Sequence, residues 1–461
     1  MKRPTLKLTN PWQIVLVILA IALVLVAAAT IIVIPSPFAP LLVLAGIAVP
    51  IVLYVWLRKP LYALYFTLFV LLLPLGLIPA QIQSYLNRSV TVISLAFWLI
   101  DITVKRKNIR LPVSTVFMLG FIVWAAISLL WANIQASALE VLQTYVLRLF
   151  FFLILVVNQI NTKKNLDGLM KTLALSGGFL VVAGLVTLLL KGYSPGSRFQ
   201  VLDMNENALG LYLLISMPAV LWLVRPTRQT MQIKKWIAMF FLLATIGLIG
   251  LSGSRGSAIS LGIILITFLL WKQTRAYGLF TIIIACLALI TVPILFSTTI
   301  DRFLGVTGET ALGGRESLWS AGWLLIKDHV FTGVGIGNSS LKVIPYMINL
   351  GARGVSLVWE PLHNPVLVIW ADTGLIGLLL YLGVMASAVL LFSQRYLQSR
   401  RLKHQYLMPY FALISSVFLG FMASWIKGGG MESDFSYFLM LAMLLIPSSM
   451  QEDTSIKNEA V

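Results

Sequence analysis

An all-α, polytopic transmembrane bundle is the fold class this sequence predicts, and three observations predict it. Hydrophobic residues fill 59% of the 461 positions and charged residues only 11%, against roughly 25% charged in a soluble domain. So apolar a chain needs lipid as its solvent. The apolar residues also gather in runs close to the length of about 20 residues that crosses the hydrocarbon. Finally, short basic clusters separate alternate runs, which is the pattern of loops on the cytoplasmic side.

Taken in order, the runs are 12–34, 39–57, 61–79, 89–104, 113–132, 141–160, 169–190, 208–224, 236–252, 258–271, 279–297, 374–392, 408–426 and 435–449, about fourteen in all. The first follows Lys2, Arg3 and Lys7. It is longer than the apolar core of a signal peptide and has no convincing cleavage site before Pro35, so it reads as a retained helix. Placing the N-terminus in the cytoplasm and alternating puts 23 of the 34 Lys and Arg inside and 10 outside, with Arg148 inside a span. Both termini are then cytoplasmic. Residues 1–450 form one membrane domain, and the polar tail 451–461 reads as disordered.

The loop 298–373 breaks the compact pattern. It is long, predicted outside, and carries Trp319, Trp323, Trp359 and Trp370. Long loops of this kind are functional or disordered, and the tryptophans favour order. Within it, Arg315 to His329 has the spacing of an amphipathic helix able to lie on the membrane surface. The net charge of +18 is spread over loops rather than gathered in one patch, so nucleic acid is not an expected partner. The single cysteine, Cys286, excludes a disulfide framework or a cysteine zinc site. No histidine pair has metal-ligand spacing and no acidic cluster appears, so neither a metal nor another cofactor is expected.

Charges that defy the inside bias carry the functional reading. Arg198 lies in GYSPGSRFQVLDMNEN, before a helix that begins near Asn207. Arg255 lies in LSGSRGS, in a turn between two helices. Arg315 lies in GGRESLW and Arg353 in GARG. Each alone reads equally as a solvated loop residue or a headgroup contact. Together, on one face, they suit an anion: glycines admit backbone amides, serines add donors, and arginine offers a fork matched to phosphate oxygens. His363, in WEPLHNPVLVIWADTG, sits where the chain re-enters the membrane. It is either a packed structural histidine or a proton acceptor near neutral pH. His329 and His404 read as structural and headgroup residues. Arg148 is costly within a span and functional by default. Glu140 is a candidate partner, and snorkelling to the outer interface is the alternative.

SGSRGS at a helix end, GGRESLW and GVGIGN in the long loop, and HNPVLVIWADTGLIG closing it resemble, in order and spacing, the O-antigen ligase and O-antigen polymerase family over roughly residues 195–395. The SRFQ…NENA segment is a weaker match. That resemblance implies a GT-C glycosyltransferase working on the outer face of the bacterial plasma membrane. Its donor would be a glycan on undecaprenyl pyrophosphate, and its acceptor a hydroxyl of lipid A core or of another glycan. Metal-independent transfer with inversion is implied as well. It also implies that His363, Arg255 and Arg315 are catalytic, and that Arg198, Arg255, Arg315, Arg148, Asn364 and Trp319 bind pyrophosphate or glycan. A lipid-linked oligosaccharide flippase is the rival from another class. It should place polar residues near the midplane in interrupted helices, where only Arg148 qualifies. A shape, elongation and division polymerase shares carrier and topology, but the motif order differs.

Overall fold

The computed structural model describes residues 39–450 apart from 74–79, 195, 203, 226–231, 292–295, 305–314, 352–360, 403–404 and 429. The run 12–34, Arg353, Trp359, His404 and the tail 451–461 lie outside the described residues. Every other expected span falls on a helix. In chain order these are α1 (Ala39–Arg58), α2 (Pro60–Leu71), α3 (Ala80–Lys105), α4 (Val113–Ile127) and α5 (Gln135–Arg148). There follow α6 (Lys163–Lys191), α7 (Glu206–Leu223), α8 (Gln232–Ser252), α9 (Arg255–Leu270) and α10 (Arg275–Thr291). Four short helices build the long loop: α11 (Ser297–Phe303), α12 (Glu316–Asp328), α13 (Ser339–Lys342) and α14 (Ile344–Asn349). The chain closes with α15 (Pro365–Arg401), α16 (Met408–Trp425) and α17 (Phe435–Ser449). No β-strand occurs among the described residues; one bridge pairs Val201 with Met204.

Eight described helices are long and apolar enough to cross a membrane, and five shorter apolar helices accompany them. The expected count of about fourteen includes those shorter helices and the run 12–34. The protein is thus a multi-pass, all-helical membrane protein. Several helices outrun their apolar cores. α3 begins nine residues ahead of the expected 89, because the polar stretch QIQSYLNRS is helical too. α5 continues through a π-helical segment, Leu149–Val156, into Val157–Gln159.

Two compact units make up the chain. One comprises Met1–Leu64 and Ala96–Lys107. In it Trp56 meets Phe97 edge-on at 6.3 Å, and Asp101 takes bonds from Lys105 and, at 2.7 Å, from Lys107. The other comprises Tyr65–Leu95 and Asn108–Val461, and holds everything described below.

The described part of the long loop is ordered, as its tryptophans suggest. α12 forms where the amphipathic pattern places a helix, and buries Leu318, Ala321, Leu325 and Ile326. These join Val334, Val343, Met347, Leu362, Val368 and Ala371 in a core of the loop's own. Trp323 packs edge-on against Trp370 at 5.4 Å, and Trp370 donates its indole N–H to the Val330 carbonyl at 3.1 Å.

The loop is then locked to the membrane bundle at a kink. α15 starts at Pro365, nine residues before the expected span, and turns at Gly374, whose φ is 68°. A side chain there would meet the Phe331 carbonyl oxygen at 2.1 Å, so only glycine fits. The GVGIGN strip runs alongside. Val334 and Gly335 donate backbone N–H groups to the Ala371 and Asp372 carbonyls. Gly337, Asn338 and Ser339 donate theirs to the Asp372 carboxylate at 2.9, 3.1 and 2.8 Å. Two motifs 30 residues apart in sequence are therefore one structural clasp, which ties the first turns of α15 to the loop.

Candidate functional site

Loops expected on the outer side meet at one end of the bundle and enclose a cavity of about 460 Å³. Five helices begin there. Asn205, Ser254, Arg315 and Asp434 are the N-cap residues of α7, α9, α12 and α17, and all four line the cavity. His363, which precedes the N-cap Asn364 of α15, lines it too. The first N–H groups of a helix lack intrahelical acceptors and carry the positive end of its dipole. A point where several helices start is accordingly a natural anion site.

Cationic side chains reinforce that field. Arg198, Arg255, Arg302, Arg315 and Lys427 all line the cavity. Each arginine is tied down by protein oxygens. Arg198 bonds the Ser252 carbonyl and Asn207 Oδ1 at 3.3 and 3.1 Å, and pairs with Glu206 at 3.3 Å. Arg255 donates to the Arg302 carbonyl at 3.2 Å, and Arg302 returns a bond to the Gly253 carbonyl at 2.7 Å. Arg315 donates to the Lys427 carbonyl. Such anchoring aims the guanidinium groups, and of the six partners named only Glu206 is charged. Two carboxylates offset the charge, Glu206 on Arg198 and Asp434 on the cavity wall.

The sequence motifs now have local causes. SGSRGS is a tighter turn than expected. Gly253, at φ 61°, ends α8, and Ser254 caps α9 by accepting the Ser257 N–H at 3.3 Å. Arg255 is therefore the first residue of a helix, not the middle of a loop. His363 holds a positive φ of 49°, uncommon for a residue with a Cβ. The next residue, Asn364, accepts the N–H groups of Val366 and Leu367 at 3.0 and 3.2 Å.

Of the residues expected to act, Arg198, Arg255, Arg315 and His363 converge on the cavity. Asn364, Trp319 and Arg148 are not among its lining residues. Asn364 spends its side-chain oxygen on the cap. Trp319 sits on α12 one turn from Arg315, and its indole nitrogen is buried without a partner among the described residues. Arg148 does not pair with Glu140, which binds Arg88 at 2.5 Å. Eight residues of helix separate Arg148 from Glu140 by roughly 12 Å, too far for an ion pair. Arg148 instead donates to the Ser433 carbonyl at 3.2 Å and lies over the rings of Phe152 and Phe435.

That bond belongs to a second anchoring system. The segment between α16 and α17 supplies Lys427, Gly428, Met431 and Asp434 to the cavity. Trp425 holds it at the Met431 carbonyl (3.2 Å), Tyr381 at the Glu432 carbonyl (2.7 Å) and Arg148 at Ser433. Arg148 is thus a positioning residue, one layer behind the wall. Sequence reasoning missed Asn207, Tyr212, Arg302, Lys427 and Asp434 as lining residues. Arg302 and Lys427 were legible only as outer charges, and Asp434 only as a helix-cap residue in SDFS.

Within this segment Glu432 is half-buried, and its buried Oε2 has no partner among the described residues. Burial, and then the Asp372 and Asp434 carboxylates, push its carboxyl up to about 7. The folded protein keeps this proton up to about pH 7, whereas the unfolded chain loses it near 4.5. The stabilisation is therefore full below the unfolded value and falls as pH rises towards 7. Glu432→Gln is expected to be more stable than wild type at pH 8, by on the order of 3 kcal/mol, and so to melt higher there, and to match it at pH 4.5. Equal melting shifts at both pH values would show that the carboxyl is already hydrated.

No curated protein matches the chain. A protein-family model described as O-antigen ligase matches residues 237–382, the stretch that contains Arg255, Arg302, Arg315, His363 and the Asp372 clasp. Over that stretch the chain is similar to the O-antigen ligase family.

Proposed function

We propose that the protein is a membrane glycosyltransferase of the O-antigen ligase type, with a GT-C architecture. It moves a glycan from undecaprenyl pyrophosphate onto a hydroxyl of lipid A core, on the outer face of the bacterial plasma membrane. The observation that carries the proposal is the convergence of five helix starts, four arginines and Lys427 on the cavity that also holds His363. In the proposed reaction the acceptor hydroxyl attacks the anomeric carbon. The bond from that carbon to the pyrophosphate oxygen breaks with inversion. The electron pair leaves with the pyrophosphate, whose growing charge the arginines and helix starts bind more tightly than the ground state. His363 takes the hydroxyl proton, or else holds the hydroxyl in line.

A polymerase performs the same chemistry on a glycan hydroxyl, so the acceptor alone separates the two. The decisive assay reconstitutes the full chain in proteoliposomes with undecaprenyl-pyrophosphate-linked glycan and each acceptor in turn. Transfer to lipid A core with release of undecaprenyl pyrophosphate is the expected result, and it should persist in excess chelator, since the arginines do the work of a metal. Lengthened glycans without transfer to lipid would make the protein a polymerase. Movement of intact donor between leaflets, with no release, would replace the proposal with a flippase.

A further inference from the structure

A second cavity, of about 580 Å³, lies at the other end of the bundle. α17 runs from Asp434, on the first cavity, to Ser449, on the second, a length of roughly 22 Å. Arg110 and Arg395 stand in it. Arg110 donates to the Ser449 carbonyl at 2.8 Å; Arg395 donates to the Ser448 carbonyl at 3.1 Å and to Gln398 Oε1 at 2.9 Å. Ser449 ends α17, and the last carbonyls of a helix have no intrahelical donors. These bonds hold both guanidinium groups against one helix end. Arg110 is fixed at its backbone too: Asn158 accepts its N–H at 2.8 Å and donates to its carbonyl at 2.9 Å.

The rest of the lining completes a pattern. Each guanidinium has donors beyond those bonds, and no carboxylate is among the described lining residues. Beside the arginines, Leu111, Val113, Val157 and Leu391 make an apolar wall. Two forked cations next to an apolar wall at the end of membrane helices complement a phosphodiester joined to an acyl chain. We propose that this cavity binds one anionic phospholipid, its phosphate between Arg110 and Arg395 and its chain along the apolar wall. This site is separate from the glycan-transfer cavity and does not depend on that function.

The test uses the full chain in detergent, with native mass spectrometry to count bound lipid and melting temperature to measure its effect. Phosphatidylglycerol is expected to be retained about tenfold or more over phosphatidylcholine, and to raise the melting temperature where phosphatidylcholine does not. Arg110→Gln/Arg395→Gln should abolish that preference. Leu391→Trp, which fills the wall and leaves both arginines in place, should weaken retention too and covers the case in which the double variant fails to fold. Equal retention of the two lipids, or an unchanged preference in Leu391→Trp and the double variant, would mean that the arginines only cap α17. Stabilisation by inorganic phosphate equal to that by phosphatidylglycerol would make the ligand a free anion and overturn the lipid assignment.

Discussion

His363→Ala is expected to slow glycan transfer by about 10²–10⁴-fold, the usual contribution of a general base, while binding of the pyrophosphate donor survives. The two effects separate because the cavity divides the labour. The proposed donor's charge would meet Arg198, Arg255, Arg302, Arg315 and Lys427, and the four arginines are anchored to the Ser252, Arg302, Gly253 and Lys427 carbonyls. His363 enters the same cavity from a different direction, from the positive-φ residue that precedes the cap of α15. Its backbone is set by its neighbours: Asn364 caps the helix and the Asp372 clasp holds the following turns. Removing the ring should therefore leave the fold intact. His363→Gln distinguishes two roles, since glutamine can hold a hydroxyl but cannot take its proton. In wild type, transfer should rise with pH through one titration as the base becomes neutral. That limb should vanish in His363→Gln, along with most of the rate. Near-full activity in His363→Gln, or a pH profile identical to wild type, would assign the residue to acceptor positioning. Asp434, the other proton acceptor on the wall, would then be the next candidate.

Much of this was legible in the sequence, and the boundary has physical causes. Helix placement follows from apolar runs because lipid demands them, so each expected span in the described residues meets a helix. Helix ends are less legible. α15 begins at Pro365 rather than 374 because a helical segment precedes the kink at Gly374, and in it Asp372 receives three backbone N–H groups from a distant strip. Such a partner lies beyond any local window. The same holds at the site. Arg198, Arg255, Arg315 and His363 stand in glycine-rich or polar motifs that mark them. Lys427 and Asp434 occupy a short connection whose role arises only because Trp425, Tyr381 and Arg148 pin it against the cavity. Arg148 shows the converse. Its intramembrane position marked it out, but the carbonyl it bonds, that of Ser433, lies nearly 300 residues away and not on its own helix.

Arg255→Lys should lower transfer by about 10²–10³-fold, comparable to the loss of one preorganised donor to a developing anion, with expression and melting near wild type. Lysine keeps the charge and loses the planar fork, so the variant asks whether charge alone suffices. The geometry says that it does not. Arg255 is the first residue of α9, and its guanidinium is aimed by a bond to the Arg302 carbonyl. From there it stands beside the helix start, where the first N–H groups lack intrahelical acceptors. A flexible ammonium on the same backbone cannot hold that orientation. The turn itself should survive, because Arg302 still bonds Gly253 and Ser254 still caps the helix. The loss should fall mainly on kcat, since charge accumulates on the pyrophosphate only as its bond to the sugar breaks. A rise in KM with kcat unchanged would mean that Arg255 grips donor and transition state alike. Wild-type transfer in Arg255→Lys would show that the anion is bound by the field of the helix starts and the other cations, with no part for this fork.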